Sequence, residues 1–527
     1  MNTFKYNYFY NKYIILIFTI ISLIFFALLK YFSIAHTDIV SIYILLVILA
    51  LTSIFSLNFT YQSTSPAFQV LTVGLSAISA FYIFTSYPTY IEYISSNYLY
   101  HAQYLSYARW LALISAVAAL FRPTFIIFPM LFIFQSKHLA YMFTGIPITG
   151  TDYLPVIEIG MLLGIISFVY SLALKSPNLN ISKNTFKYKN IQYFDLAIIL
   201  CVSIHFGNYF YSGLYKLLLE GGIASWVQTN KTYYLLLNAY TSGHLPISHY
   251  QELFKYVYEF YRDNYILSNL FIVVSQLISL IILYRIRWAC ALIILYDIIH
   301  LIIFITTGIF FWKWILLNIL LVISLSKINI KVLPISIFAL AILCTLTART
   351  LFFTAKLAWY DTPALNDAHI IAVSNEGKEY RAPSNYFLDT SVTYAQQRVG
   401  WPYIGHFPTK TFGTTYTTQI KTNAERCNFS DSSDIDQSLN LDTLKRHLTR
   451  HHAYILKHID INGLLNYDIY PHHIWSNPKE FNDFYKLDKR NINHYKFIIN
   501  SVCNSYEDGA VLSKLISSSE YIININE

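Results

Sequence analysis

Long apolar runs separated by short polar loops fill the first two thirds of the chain. Tyr13–Leu29, Val40–Phe55, Ile266–Leu283 and Val332–Leu346 approach or reach the ~20 apolar residues that cross a hydrocarbon core. The pattern stops at Leu357, where polar residues, prolines and histidines replace the apolar runs. The first part predicts an all-α polytopic membrane helical bundle of ten or eleven segments. The second, roughly 170 residues, is a usual size for one core. Ile370–Pro383 reads there as two short strands around Asn375-Glu376-Gly377, and Leu441–Ile459 carries helical periodicity with charged turns. A C-terminal extracytoplasmic α+β domain is expected. No internal repeat or low-complexity tract is evident.

Composition agrees. Of 527 residues, 55% are hydrophobic and only 13% charged, too few charges to cover a soluble chain of this length. Mean hydropathy is +0.42. The 46 tyrosines and 38 phenylalanines suit interfacial aromatic belts. Tyr13–Leu29 is longer than a signal-peptide core and lacks a small-residue cleavage site, so it is expected to stay as an anchor. The net charge of +8 sits largely in short loops, where topology explains it, and no nucleic-acid site is read.

Those loops orient the chain. Lys175, Lys183, Lys187 and Lys189 crowd one, Arg285 and Arg287 mark a second, and Lys327 with Lys331 a third; by the positive-inside rule all three are cytoplasmic. Spans then alternate as Tyr193–Leu214 outward, Ile266–Tyr284 back, Trp288–Thr306 outward, Ile309–Ser324 back and Val332–Phe352 outward. Lys5 and Lys12 favour an inside N-terminus, which requires Tyr107–Phe134 to be two short passes turning at Arg122-Pro123; otherwise the N-terminus lies outside. Three units follow: 1–192, N-terminal membrane helices; 193–356, a membrane core with an outer loop at 217–264; and 357–527, the exported domain. A bacterial inner membrane is the expected location, with membrane lipid as a partner.

Candidate chemistry concentrates in the core. Lys216 lies one turn past Gly213 at the outer end of its helix, and His205 precedes it by eleven residues, close to three turns, on the same face. Asp297 and His300 are three apart and neighbours on another helix. Ionisable groups facing lipid are costly, so these are expected to converge on a polar cavity. Burial disfavours an ammonium, and a neutral amine there acts as a general base or nucleophile. Two plainer readings stand beside this: Lys216 snorkels to the headgroups, and Asp297 with His300 bridges helices structurally. Lys313, between Trp312 and Trp314, reads as an interfacial anchor, and so does Trp359-Tyr360-Asp361. Glu158 and Arg349 are further charges in apolar spans, without assignment.

In the exported domain His447 and His451 have the i, i+4 spacing that lets two imidazoles share a metal, with His452, His458, His472 and His473 nearby. No HExxH glutamate and no cysteine pair supports zinc, so no metal is predicted and solvated surface histidines are expected. Cys201, Cys290 and Cys344 read as packing residues. Cys427 and Cys503 are a disulfide candidate in an oxidising space. Asn428-Phe429-Ser430 is a sequon wherever the host glycosylates.

The run Phe210-Tyr211-Ser212-Gly213-Leu214-Tyr215-Lys216-Leu217, followed by Trp226, resembles a segment of the vitamin K-dependent gamma-glutamyl carboxylase family and the broader HTTM family of carboxylase-related transmembrane domains. His300 followed by Thr307-Gly308-Ile309-Phe310 resembles that family's second segment at similar spacing. The resemblance covers Tyr193–Ser324, about a quarter of the chain. It implies that Lys216 is the base that deprotonates a reduced quinone, held in a quinol-sized pocket near the outer face. Asp297 and His300 would polarise or relay protons, while His205, Gly213, Tyr215 and Trp226 would line the substrate site. The chain departs from the family at Tyr215, which replaces a lysine, in its longer loop Glu220–Asn264, and in the few strand signals of its exported domain. Glutamate as substrate is therefore not implied. The expectation is a carboxylase-like membrane enzyme acting on a lipophilic quinol or membrane-presented substrate. The alternative is a non-catalytic membrane component that binds lipid, with a partner protein at its exported domain. A transporter lacks the paired broken helices of two related halves.

Overall fold

Helices make up most of the chain because apolar residues recur on every face of its long runs, the pattern of a helix buried or wrapped in an apolar surround. The computed structural model describes residues 17–32, 54, 57, 59–85, 99–144, 153–175, 187–188, 191–395, 414–415, 417–428, 441–465 and 473–525. Lys5, Lys12, Lys183, Lys189, most of Val40–Phe55, His472 and the sequon's Phe429 and Ser430 lie outside the described residues.

Among the described residues six helices precede the loop at 217–264: α1 Ile17–Phe32, α2 Pro66–Thr85, α3 Leu99–Ala119, α4 Ile127–Thr144, α5 Leu154–Lys175 and α6 Tyr193–Leu217. The turn expected at Arg122-Pro123 lies between α3 and α4, where Pro123 opens a short 3₁₀ turn; a ring without an N–H suits that position. After the loop come α10 Ile286–Thr307, α11 Trp312–Ser326 and α12 Ile335–Leu351. Among the described residues, α2, α5, α6 and α10 are long and apolar enough to cross a membrane, while α1, α11 and α12 are shorter apolar helices. α6 is the central post, buried along nearly its whole length and packed against α9, α11 and α12. Glu158 on α5 forms an ion pair with Lys30 of α1 at 2.5 Å and accepts from the Phe353 backbone at 2.7 Å.

The outer loop is more ordered than its composition suggests. It holds α7 Ser225–Thr229, α8 Tyr233–Thr241 and the first half of α9 Gln251–Ile278, which starts fifteen residues before the expected span at Ile266. That first half is amphipathic: Phe254 and Tyr258 pack on Leu236 and Leu237 of α8. Its charged outer face lowers the hydropathy without breaking the helix, and a non-helical Asn264 marks where the two halves meet.

The C-terminal domain is built on β1 Ala364–Ser374, β2 Glu379–Arg381, β3 Ile492–Glu507 and β4 Ala510–Asn524, an antiparallel sheet in the order β2-β1-β3-β4. The β1–β2 turn carries Gly377 as expected. α13, Leu441–His458, lays Leu444, Leu448 and Ile455 onto the core under the sheet with Tyr495, Phe497 and Ile523. His447, His451 and His452 lie on that buried side, which corrects the expectation of solvated histidines. Their spacing from Leu444 and Leu448 puts them on the inward stripe of the helix. His458, in contrast, is exposed. Cys427 and Cys503 form a disulfide.

The domain docks on the α10–α11 turn by strand-like pairing. Phe310 donates its backbone N–H to His473 O at 2.6 Å, Trp475 donates to Gly308 O at 2.8 Å, and Ile309 bridges Ile474. Gly308 makes this possible. It caps α10 in the left-handed region, and a Cβ there would stand 2.1 Å from His244 O.

Candidate functional site

The residues singled out in the sequence gather in two places. The first lies at mid-height of the helical core. His205 on α6, Asp297 and His300 on α10 and Asn318 on α11 are joined by Asn318, which bonds His205 Nε2 at 2.9 Å, Asp297 Oδ1 at 2.7 Å and the Tyr209 hydroxyl at 3.0 Å. His300 Nδ1 stands 4.0 Å from Asp297 Oδ1, just outside bonding range. Tyr209 and Trp314 pack against both imidazoles, with ring centroids 5.3 and 5.4 Å from His205 and 6.0 and 5.9 Å from His300.

Hydrogen-bond logic fixes the chemistry of this group. A carboxylate accepts only, so Asn318 must present its NH₂ to Asp297, and its oxygen is left facing His205. His205 therefore donates from Nε2, and when neutral its Nδ1 carries the lone pair. That nitrogen and His300 Nδ1 are both buried and without a partner among the described residues. Buried polar atoms are nearly always satisfied, so two open imidazole nitrogens in one cluster mark a place where something arrives. Phe311 stacks on His300 at 4.9 Å and meets the His473 ring at 5.1 Å, so a histidine of the C-terminal domain completes one end of the column.

The second group sits at the outer end of α6. Lys216 is only 6% exposed. Its ammonium donates to Leu357 O, to Ser212 O at 3.2 Å and to Gln276 Oε1 at 3.2 Å, and lies 5.2 Å from the Trp226 ring centroid. Three acceptors use all three donors of an ammonium. Trp226 is held in turn by Trp359 O at 2.7 Å. Gly213 provides the space, because a Cβ would come within 2.9 Å of Gln276 Cβ and push α9 away. Asp361 accepts from Asn230 at 3.0 Å and Trp359 at 3.0 Å, and burial pushes its carboxyl up to about 6 against the pull of those bonds and of Lys216. Tyr360 and Asp361 are buried parts of this junction, which corrects the reading of that tripeptide as an interfacial anchor.

The two groups are separate. Eleven residues of helix put Lys216 about 16 Å from His205 along α6, and none of its hydrogen bonds reaches His205, Asp297 or His300. Tyr215 points to a third side, where its hydroxyl accepts from Arg349 and its ring lies 5.3 Å from that guanidinium and 5.1 Å from Lys356. Lys313 is buried rather than an anchor, over the Trp312 ring at 4.9 Å.

Sequence reasoning missed Asn318, Tyr209, Gln276 and Asp361. Asn318 had a legible signal, a lone amide within an apolar run, the usual side chain for hydrogen bonding between membrane helices. Comparison of the chain with protein-family models, curated proteins and solved structures found no match.

Proposed function

We propose that this chain is an integral membrane protein, its C-terminal domain on the outer side, that transfers protons to or from a lipophilic substrate of the reduced-quinone class. The chemistry lies at Asp297, His300 and His205. The observation that carries this reading is the pair of open Nδ1 nitrogens on His205 and His300 in the cluster that Asn318 ties to Asp297, at the height where intramembrane ionisable groups mark function. His205 Nδ1 accepts a proton, Asp297 balances the imidazolium that forms, and His300 passes charge toward His473 and the outer side. Asn318 holds the tautomer. The quinone class rests on the carboxylase resemblance of Phe210–Leu217 and His300–Phe310.

A second reading, with Lys216 as the base, has an observation of its own. That amine is buried under Trp226 within the field of Asp361. Its filled shell of three acceptors leaves no open site for a substrate and favours the cluster instead.

Mass spectrometry of lipids extracted from the purified protein tests the reading, together with consumption of added reduced quinone by proteoliposomes. A retained quinone, with consumption lost in His300→Ala and Asp297→Asn but kept in Lys216→Arg, supports the cluster. Loss confined to Lys216→Arg supports the amine. No quinone and no consumption by a folded protein overturns both.

A further inference from the structure

A crevice separates α9 from α10 on the outer half of the core, away from the Asp297 cluster and bordering the Asp361 junction through Thr232, whose hydroxyl accepts from Asn230. Its volume is about 480 Å³, within the range of small-molecule sites, roughly 300–1,000 Å³. The helices make it by diverging. They are tied deep in the core, where the Tyr296 hydroxyl on α10 donates to Ser275 O on α9 at 2.6 Å. Above that bond they part, and Asn264 bends the outer half of α9 back over the gap. α8 closes the top through Leu235 and Leu236, so the space has a floor, two walls and a roof.

Its open side is lateral. Leu267 and Phe271 on α9 and Ile302 on α10 line it and are also exposed on the flank of the bundle. Ile299 and Ile303 form the inner wall, and Thr232, Asn264 and Ser268 add hydrogen-bonding side chains to the lining.

We infer that this crevice binds a single long hydrocarbon chain entering sideways from the outer half of the bilayer, along the wall of Leu267, Phe271, Ile302 and Ile303. An apolar cavity excludes water, and at this height the surrounding solvent is hydrocarbon, so a chain is the available filler. Transfer into the crevice gains contacts on both walls that a chain in the loose bilayer lacks. A phospholipid acyl chain and a free isoprenoid share this chemistry. Asp297 lies on the side of α10 away from Ile299 and Ile303, so the crevice is a second site. The inference rests on the membrane placement proposed above and not on the proton chemistry.

The test uses full-length protein in nanodiscs doped with a lipid bearing a diazirine on its acyl chain, with cross-links mapped by mass spectrometry. Membrane fractionation comes first: protein released as a soluble species overturns the membrane placement and this site together. With the protein integral, cross-links concentrated on Phe271, Ile302 and Ile303 over the exposed Leu28 and Trp110 support the site. Ile303→Trp and, independently, Ser268→Phe fill the crevice and are expected to reduce those cross-links to the level at Leu28. Extraction separates the sources, since a retained phospholipid and a retained isoprenoid differ in mass. Equal labelling at crevice and control positions, or labelling that survives both fillers, overturns the inference and leaves the core cluster untouched.

Discussion

Asn318 donates its amide nitrogen to Asp297 Oδ1 at 2.7 Å, across two helices. The same side chain meets His205 and Tyr209. One amide thus orients a carboxylate and fixes an imidazole tautomer, and the cluster holds together through it rather than through direct ion pairing.

Replacing Asn318 with Leu keeps much of the volume and removes every one of those bonds. Each orphaned buried group costs about 1–3 kcal/mol, so Asn318→Leu is expected to lower the melting temperature of the detergent-solubilised protein clearly. Asn318→Asp sets a second carboxylate beside Asp297, and like charges that close favour a shared proton. That variant should lose stability as pH rises. Melting curves at several pH values check both, and unchanged curves would remove Asn318 from its central place.

The Lys30–Glu158 pair makes a separate prediction. Glu158 is almost fully buried, while Lys30 keeps 22% of its side chain exposed. Removing Lys30 strands the buried carboxylate, which costs about 3–5 kcal/mol, whereas an apolar pair of similar size is often neutral. Lys30→Met is expected to be the most damaging change, and Lys30→Met with Glu158→Leu to recover most of the loss. Folded yield and melting temperature read the difference.

Acid should weaken the C-terminal domain first. Burial pulls His447 down to about 3 and His452 to about 4, and lowers His451 as well. An unfolded chain protonates these rings near pH 6.5, so below that pH the unfolded state binds protons that the fold refuses. Stability is therefore full above pH 6.5 and is lost as pH falls from there toward 3. Thermal unfolding between pH 7.5 and 4 should show the decline, and His452→Gln should flatten it.

The Cys427–Cys503 bond closes 76 residues of sequence separation. Such a cross-link contributes about 2–4 kcal/mol. Cys427→Ser with Cys503→Ser is expected to lower the domain's unfolding free energy, read from urea titration, by that amount, and mild reductant to do the same to the parent chain.

Much of the helical part was legible because membrane-length apolar runs and basic loops are coarse signals. Arg122-Pro123 marked its turn, and Gly377 its hairpin. The two longest strands went unread although Asp508-Gly509 sits between them with φ of 50° and 81°. Their alternation is blurred, because β4 exposes most of both faces. The outer half of α9 was missed because charge masked its period. Asp297, His300 and His205 were found through cost: an ionisable group in an apolar helix must have a reason. Their separation from Lys216 was not legible, since helix spacing gives the face a residue occupies and not the neighbour it meets. Asp361 reached Lys216 only through the fold of the chain after the last helix.

Imidazole ¹⁵N spectra of the nanodisc-reconstituted protein, titrated with a short-chain reduced quinone, read most directly whether the core cluster meets a substrate. The Nδ1 signals of His205 and His300 are expected to shift on titration, with His458 unmoved, and the shift to vanish in Asp297→Asn. Saturating quinone that leaves both Nδ1 signals in place, or shifts that persist unchanged in Asp297→Asn, would contradict a proton-exchange site at this cluster.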